Sequence, residues 1–341
     1  LERGFYNKGT VGFILLRQYL IPFQFNHLKL TAAFLRLVRW PNLVFIIITQ
    51  CLFEWCIYAR VYPFEFNESN HFQFLLILLA SVFIAAAGYI INDYFDQNID
   101  QINKPDKMVV NTIINRRWVI FWHMVLSLAG LFFTMLALPV QLYWHLVLGN
   151  LLAILLLWFY STNFKKQLLI GNIIISLLTA WVILILFFAK FPLLINELLV
   201  VDHNKVRFFR LSILYASFAF IISLVREVVK DMEDIEGDQK YGCKTMPILW
   251  GIRASKVFVA VWMVVLIAAL IILQFYVLGL GWWHSALYCV LLIVLPLLVI
   301  LKKLYHANSS KDYHTVSAWI KLVMFTGILS MLFFRFYSAS I

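Results

Sequence analysis

Asn92, Asp93, Asp96 and Asp100 bring three carboxylates and an amide together just after a mostly apolar run, 72–91, long enough to cross a bilayer. The aspartates stand at i, i+3 and i+7, so on a continuing helix they share one face. Like charges this close repel, and beside a membrane they are costly. A cation relieves both problems, and a ligand set of oxygens without His or Cys suits Mg²⁺. The loop is not an EF-hand: Gln101 stands where the turn glycine belongs and Lys107 where the terminal glutamate belongs.

The same spacing returns in Asp231, Asp234 and Asp238, after the apolar run 211–225, with Glu227 one turn upstream. The offset is 138 at all three positions (231 − 93, 234 − 96, 238 − 100), in a chain with only 17 acidic residues among 341. We read the two clusters as facing halves of one site. Mg²⁺ held by one or two carboxylates commonly bridges to substrate phosphates, so a diphosphate is the ligand that fits. Basic residues flank both clusters: Lys104, Lys107, Arg116 and Arg117 at the first; Arg226, Lys230 and Lys244 at the second. A third polar insertion runs from Tyr160 through Ser161, Thr162, Asn163 and Phe164 to Lys165 and Lys166. For most single Lys and Arg residues, membrane topology is as good a reason as substrate contact, and Tyr160 also suits an interfacial belt.

These groups have to be positioned by membrane helices. The chain is 63% hydrophobic and 13% charged, with a mean hydropathy of +0.87, which marks an integral membrane protein. Apolar runs predict nine spans, near 43–58, 72–91, 118–138, 142–160, 168–189, 208–229, 255–278, 283–301 and 316–336. The expected fold is therefore all-α, a multi-spanning bundle. Of 28 Lys and Arg, 21 fall on one side of such a chain, six on the other, and Lys321 lies inside the last span. The positive-inside rule then places the N-terminus and both acidic clusters in the cytoplasm and the C-terminus outside. The net charge of +11 is accounted for by those loops and does not call for nucleic acid. Residues 1–34 read as a cytoplasmic or interfacial leader and 35–341 as one membrane domain, since no Gly/Ser- or Pro-rich linker divides the chain. Spans two and six correspond across the repeated clusters, a parallel internal duplication. The four cysteines form no CxxC pair and the eight histidines no HExxH, so neither a disulfide framework nor a zinc site is expected. If diphosphate leaves, the rest of the substrate lies among the spans, where aromatic rings (17% of residues) can face a developing allylic cation.

These motifs resemble the UbiA family of intramembrane prenyltransferases over about 35–337. Asn92, Asp93, Asp96 and Asp100 match its NDxxDxxxD motif, and Asp231, Asp234 and Asp238 its second aspartate-rich motif. Tyr160 to Lys165 followed by Gly171-Asn172 is similar to its tyrosine-to-lysine motif, and Arg39-Trp40-Pro41-Asn42 to its first-helix entrance. The resemblance implies nine helices around a central cavity with a cytoplasmic cap. It also implies Mg²⁺-dependent transfer of a prenyl group from a polyprenyl diphosphate to a lipophilic acceptor. The residues at 102–107 and 230–238 look most like the branch of geranylgeranylglycerol-phosphate geranylgeranyltransferases, although Met108-Val109-Val110 replaces that branch's proline and small residues. In roles carried over this way, Asn92, Asp96 and Asp100 hold one Mg²⁺ and Asp231, Asp234 and Asp238 the other, with Asp93 and Glu227 beside them. Lys165, Lys104, Lys107, Lys230 and Lys244 meet the diphosphate, with Tyr160 near it. Arg39 orients the acceptor, and Asn42 is a further substrate-binding residue.

Two other readings stay open at this point. One is prenylation of an aromatic ring, as in quinone or haem pathways. The other is a transporter, against which stands the placing of the acidic clusters at span ends rather than at the membrane midplane.

Overall fold

Backbone amides in a bilayer core have no water to bond, so long apolar stretches there must be helical. The computed structural model describes residues 29–63, 68–192 and 202–337. Most of the leader expected over 1–34 therefore lies outside the described residues. Among the described residues, nine helices are long and apolar enough to cross a membrane: α1 (Trp40–Val61), α2 (Asn70–Phe95), α3 (Arg116–Ala137), α4 (Val140–Thr162), α5 (Ile170–Lys190), α6 (His203–Glu233), α7 (Gly251–Gly279), α8 (Trp283–His306) and α9 (Ser310–Phe336). They form no strand among the described residues beyond one isolated bridge, Val110 to Ile114.

Several helices start earlier than the apolar runs suggest, because polar caps extend them. Ser309 and Asp312 form a reciprocal capping box, which starts α9 at Ser310 rather than near 316. The Asp202 side chain accepts from Asn204 N–H at 2.9 Å and begins α6 at His203. Asn115 does the same for α3 through Arg117 N–H. Within α1, residues Phe53–Tyr58 widen to a π-helical turn.

The bundle buries three apolar clusters. Phe53, Tyr58, Phe187 and Phe208 pack at the end of the bundle far from the aspartates. Val225, Met263, Leu297 and Ile320 join α6 to α7, α8 and α9. Leu37 of the helix at 29–37 packs with Ile90, Val109 and Val119 near the cap. The opposite faces of α3 and α7 stay apolar and exposed, with Phe132 at 59% and Phe275 at 73%, as lipid-facing surfaces should be. Helix α2 lies chiefly against α3, and α6 against α5 and α9. The four cysteines are free thiols.

Candidate active site

Both acidic clusters are built on a span that breaks and then continues as a short cap helix. Helix α2 ends at Phe95, Asp96 takes φ −87° and ψ −2°, and the chain resumes as Gln97–Asn103. Helix α6 ends at Glu233, Asp234 takes φ −96° and ψ 10°, and the chain resumes as Ile235–Lys240. The backbone ladder crosses both breaks, Asp100 N–H donating to Asp96 O at 2.8 Å and Asp238 N–H to Asp234 O at 3.2 Å. The simple picture of one continuing helix is thus modified. In each triad the first aspartate sits on the span, the second at the break and the third on the cap.

The two caps are joined directly. Asn103 donates from Nδ2 to Asp234 O at 3.1 Å and accepts from Gly237 N–H at 2.9 Å. Lys104 Nζ reaches Asp234 Oδ2 at 2.6 Å. A Cβ at residue 237 would fall 2.4 Å from Asn103 Oδ1, so glycine is what lets the caps approach. The structure therefore brings the two clusters into one assembly.

The third polar insertion closes on the same assembly. Phe164–Lys166 forms a single 3₁₀ turn, and Leu169 adopts left-handed backbone, φ 58°, to start α5. A Cβ at Gly171 would lie 2.8 Å from Lys165 Cα, so the turn can fold tightly onto α5 only with glycine there. The Lys165 ammonium pairs with Asp96. Asn172, next on α5, donates to Asp231 Oδ2 at 2.8 Å. Lys244 contributes its backbone, donating N–H to Lys166 O at 2.7 Å, while its side chain is exposed. The side chain of Lys107 lies outside the described residues.

At the base of the clusters, Arg39 donates to Asp93 Oδ1 at 2.7 Å and lies over the Tyr89 ring. Its backbone is left-handed, φ 51°, at the start of α1. A non-glycine residue pays strain for that, about 1–2 kcal/mol. Glu227 accepts from Arg226 at 3.0 Å and from Lys230 at 3.1 Å. Below them a cavity of about 270 Å³ runs down between α1, α2, α4, α5, α6 and α9. Arg39, Asn42, Asn92, Arg226, Glu227 and Lys230 line its polar end, with Tyr89 and Tyr160 as ring walls; Trp181, Tyr215 and Met331 line its deeper part. The six aspartates of the triads do not line the cavity itself.

The charges respond to this crowding. Burial pushes Asp100 up to about 6, Lys104 pulling it down and Asp93 pushing it further up. Burial and then Asp234 push Asp238 up to about 6, against the pull of Lys165 and Lys104. For Lys104, burial disfavours the charge, but Asp234 and then Asp100 together outweigh it and raise the pKa. Among the described residues no three His, Cys, Asp or Glu side chains gather tightly enough to ligate one ion; the carboxylates of Asp93, Asp96, Asp231 and Asp234 are each tied to a cation or an amide. The donor set nonetheless fits a hard cation. Asn92 gives Nδ2 to Asp96 Oδ2 at 2.8 Å, which leaves its own Oδ1 buried and without a hydrogen-bond partner beside a carboxylate.

Sequence reasoning gave no role to four groups that the structure places here. Asn103 links the caps, Asn172 orients Asp231, Tyr89 backs Arg39, and Lys321 lines the cavity from α9. Lys321 carried a physical signal, a lone charge inside an apolar run, while Asn103 and Asn172 stood only within stretches named for their resemblance.

Comparison with known proteins follows the same lines. The pattern of the UbiA prenyltransferase family matches residues 55–329. A digeranylgeranylglyceryl phosphate synthase of Methanothermobacter thermautotrophicus is 36% identical over 64% of this chain and 69% of its own. A protein of the same name from Methanosphaera stadtmanae is 27% identical over 74% of this chain and 86% of its own. Among solved structures, a UbiA homologue from Aeropyrum pernix has a TM-score of 0.58 at 16% identity, covering 83% of this chain and 96% of that one. One from Archaeoglobus fulgidus, bound to DMAPP and Mg²⁺, has a TM-score of 0.53 at 16% identity, covering 88% and 99%. The chain belongs to the UbiA prenyltransferase family and is an integral, multi-pass membrane prenyltransferase.

Proposed function

We propose that this chain transfers a geranylgeranyl group from its diphosphate to the free hydroxyl of geranylgeranylglycerol phosphate, giving an ether lipid. The carrying observation is the pair of joined aspartate breaks above a deep, largely apolar cavity. The names of the relatives at 27–36% identity support the acceptor. Asn92, Asp96 and Asp100 would hold one Mg²⁺, and Asp231, Asp234 and Asp238 the other. Mg²⁺ bound there supplies charge neutralisation to the leaving diphosphate, and the Archaeoglobus fulgidus homologue binds this ion together with a prenyl diphosphate.

The chain's own residues do the rest. Lys165, Lys104 and Lys230 offer ammonium groups to the diphosphate oxygens. Asp93 fixes Arg39, and Glu227 fixes Arg226 and Lys230, so that these cations face the cavity mouth in a set geometry. The prenyl tail lies along the cavity, where Tyr89 and Tyr160 present ring faces near the reacting carbon. The C1–O bond of the donor breaks with its electron pair going to diphosphate. The acceptor oxygen bonds to C1 and releases its proton. The excess of Lys and Arg on the cap side supports a cytoplasmic cap and N-terminus with the C-terminus outside.

The test is competition in one vessel: purified protein, Mg²⁺, labelled geranylgeranyl diphosphate, geranylgeranylglycerol phosphate and 4-hydroxybenzoate. Label should enter the ether lipid, and chelator should abolish the reaction. Label on the aromatic ring alone would overturn the acceptor and leave prenyl transfer standing.

A further inference from the structure

Lys321 lies well inside α9, on the wall of the cavity. A lysine within a membrane span is expensive unless something uses it. Its Nζ donates to Asn42 Oδ1 at 2.9 Å and sits over the Phe45 ring at 5.2 Å. Both are neutral partners, and among the described residues Lys321 forms no salt bridge. Arg226 lines the same cavity from α6. Arg226 uses one arm on Glu227, while its Nε is buried with no hydrogen-bond partner. Lys321 on α9 and Arg226 on α6 thus line one cavity, the first with neutral partners alone and the second with a buried, unused Nε donor that an anion would satisfy.

The donor diphosphate already has its own set in the aspartate assembly and Lys165, Lys104 and Lys230. Lys321 and Arg226 lie outside the aspartate assembly, lining the cavity with Asn42 of α1. We propose that Lys321, with Arg226 Nε, forms a separate phosphomonoester subsite that receives the acceptor's phosphate. It rests on the glycerol-phosphate reading above. Such a subsite makes α9 the element that separates a phosphorylated acceptor from a neutral one. Asn42 is then the positioning residue: it holds the Lys321 amine, and it lines the cavity beside Tyr89, on which Arg39 lies.

The experiment uses the full chain in lipid nanodiscs with Mg²⁺ and geranylgeranyl diphosphate, and compares geranylgeranylglycerol phosphate with its unphosphorylated alcohol. The wild type should prefer the phosphate. Lys321→Gln should lower the ratio of kcat/KM values about tenfold or more, the loss of one charge-assisted contact, through the acceptor KM. Lys321→Arg should keep most of the preference. Lys321→Met, which fills the same space without charge, serves if the glutamine variant does not fold. A ratio unchanged in both neutral variants overturns the subsite and leaves the proposed reaction intact. A rise in donor KM instead assigns Lys321 to the donor diphosphate and also overturns it. A wild type that uses neither lipid overturns the acceptor reading itself.

Discussion

Asp96 and Asp234 hold the same backbone conformation 138 residues apart, and each pairs with a lysine from another element, Lys165 and Lys104. A carboxylate at the break of each span gathers a cation from another element. Replacing either with asparagine keeps the volume and removes the charge. Asp96→Asn and Asp234→Asn should each lower kcat by at least about two orders of magnitude, roughly 2.7 kcal/mol of barrier. Steady-state turnover checks this, and near-normal rates in either variant would end the two-cluster mechanism. Asp100 makes a different prediction, because its pKa is raised to about 6. A raised carboxylate favours the folded chain below its unfolded value, and that contribution is lost as pH rises through about 6. In excess chelator, Asp100→Asn should therefore raise Tm more at pH 8, where the wild-type group is charged, than at pH 5. Equal shifts at both pH values would contradict the raised pKa.

At the scale of elements, the two short cap helices matter more than their length suggests. Neither Gln97–Asn103 nor Ile235–Lys240 has enough turns to stand alone, so each is held by the other. Asn103 and Gly237 make that junction. Gly237→Ala forces the Asn103 side chain out of the way, and Asn103→Ala removes both of its hydrogen bonds. Each loss is worth about 0.5–1.5 kcal/mol per bond, so kcat/KM should fall roughly tenfold in either variant. Because both remove one junction, the double variant should fall little further. A double-mutant cycle that is fully additive would show that the caps are not coupled through this pair.

At the scale of the molecule, the nine helices long and apolar enough to cross a membrane among the described residues form a bundle that gathers its polar chemistry at one end. That arrangement predicts that both caps face the same compartment. Asn98→Cys and Gln239→Cys, both exposed positions, should be labelled by an impermeant maleimide from the same, cytoplasmic side. Labelling from opposite sides would separate the clusters and remove the shared site. The deeper cavity is largely apolar between walls from six helices, which suits a prenyl chain, while the outer faces of α3 and α7 are left for lipid.

Hydropathy is local along the chain and a bilayer forces apolar runs into helices, so the nine spans and their order were legible from residues alone. So were the repeated aspartates, because spacing survives without knowledge of packing. Span ends were not, since Ser309 and Asp312 or Asp202 extend helices through capping that hydropathy does not register. Which cation each aspartate meets was also hidden: Lys104 reaches Asp234 across 130 residues of sequence, and the Lys165 turn reaches Asp96 only because Gly171 admits it. Asn103 looked like any loop amide until Gly237 approached it. Lys321 shows the division most plainly. The sequence marks it as an unusual charge, but only the packing of α9 against α1 and α6 puts that charge on the cavity wall beside Asn42 and Arg226, because contacts between distant helices depend on how side chains interlock rather than on periodicity.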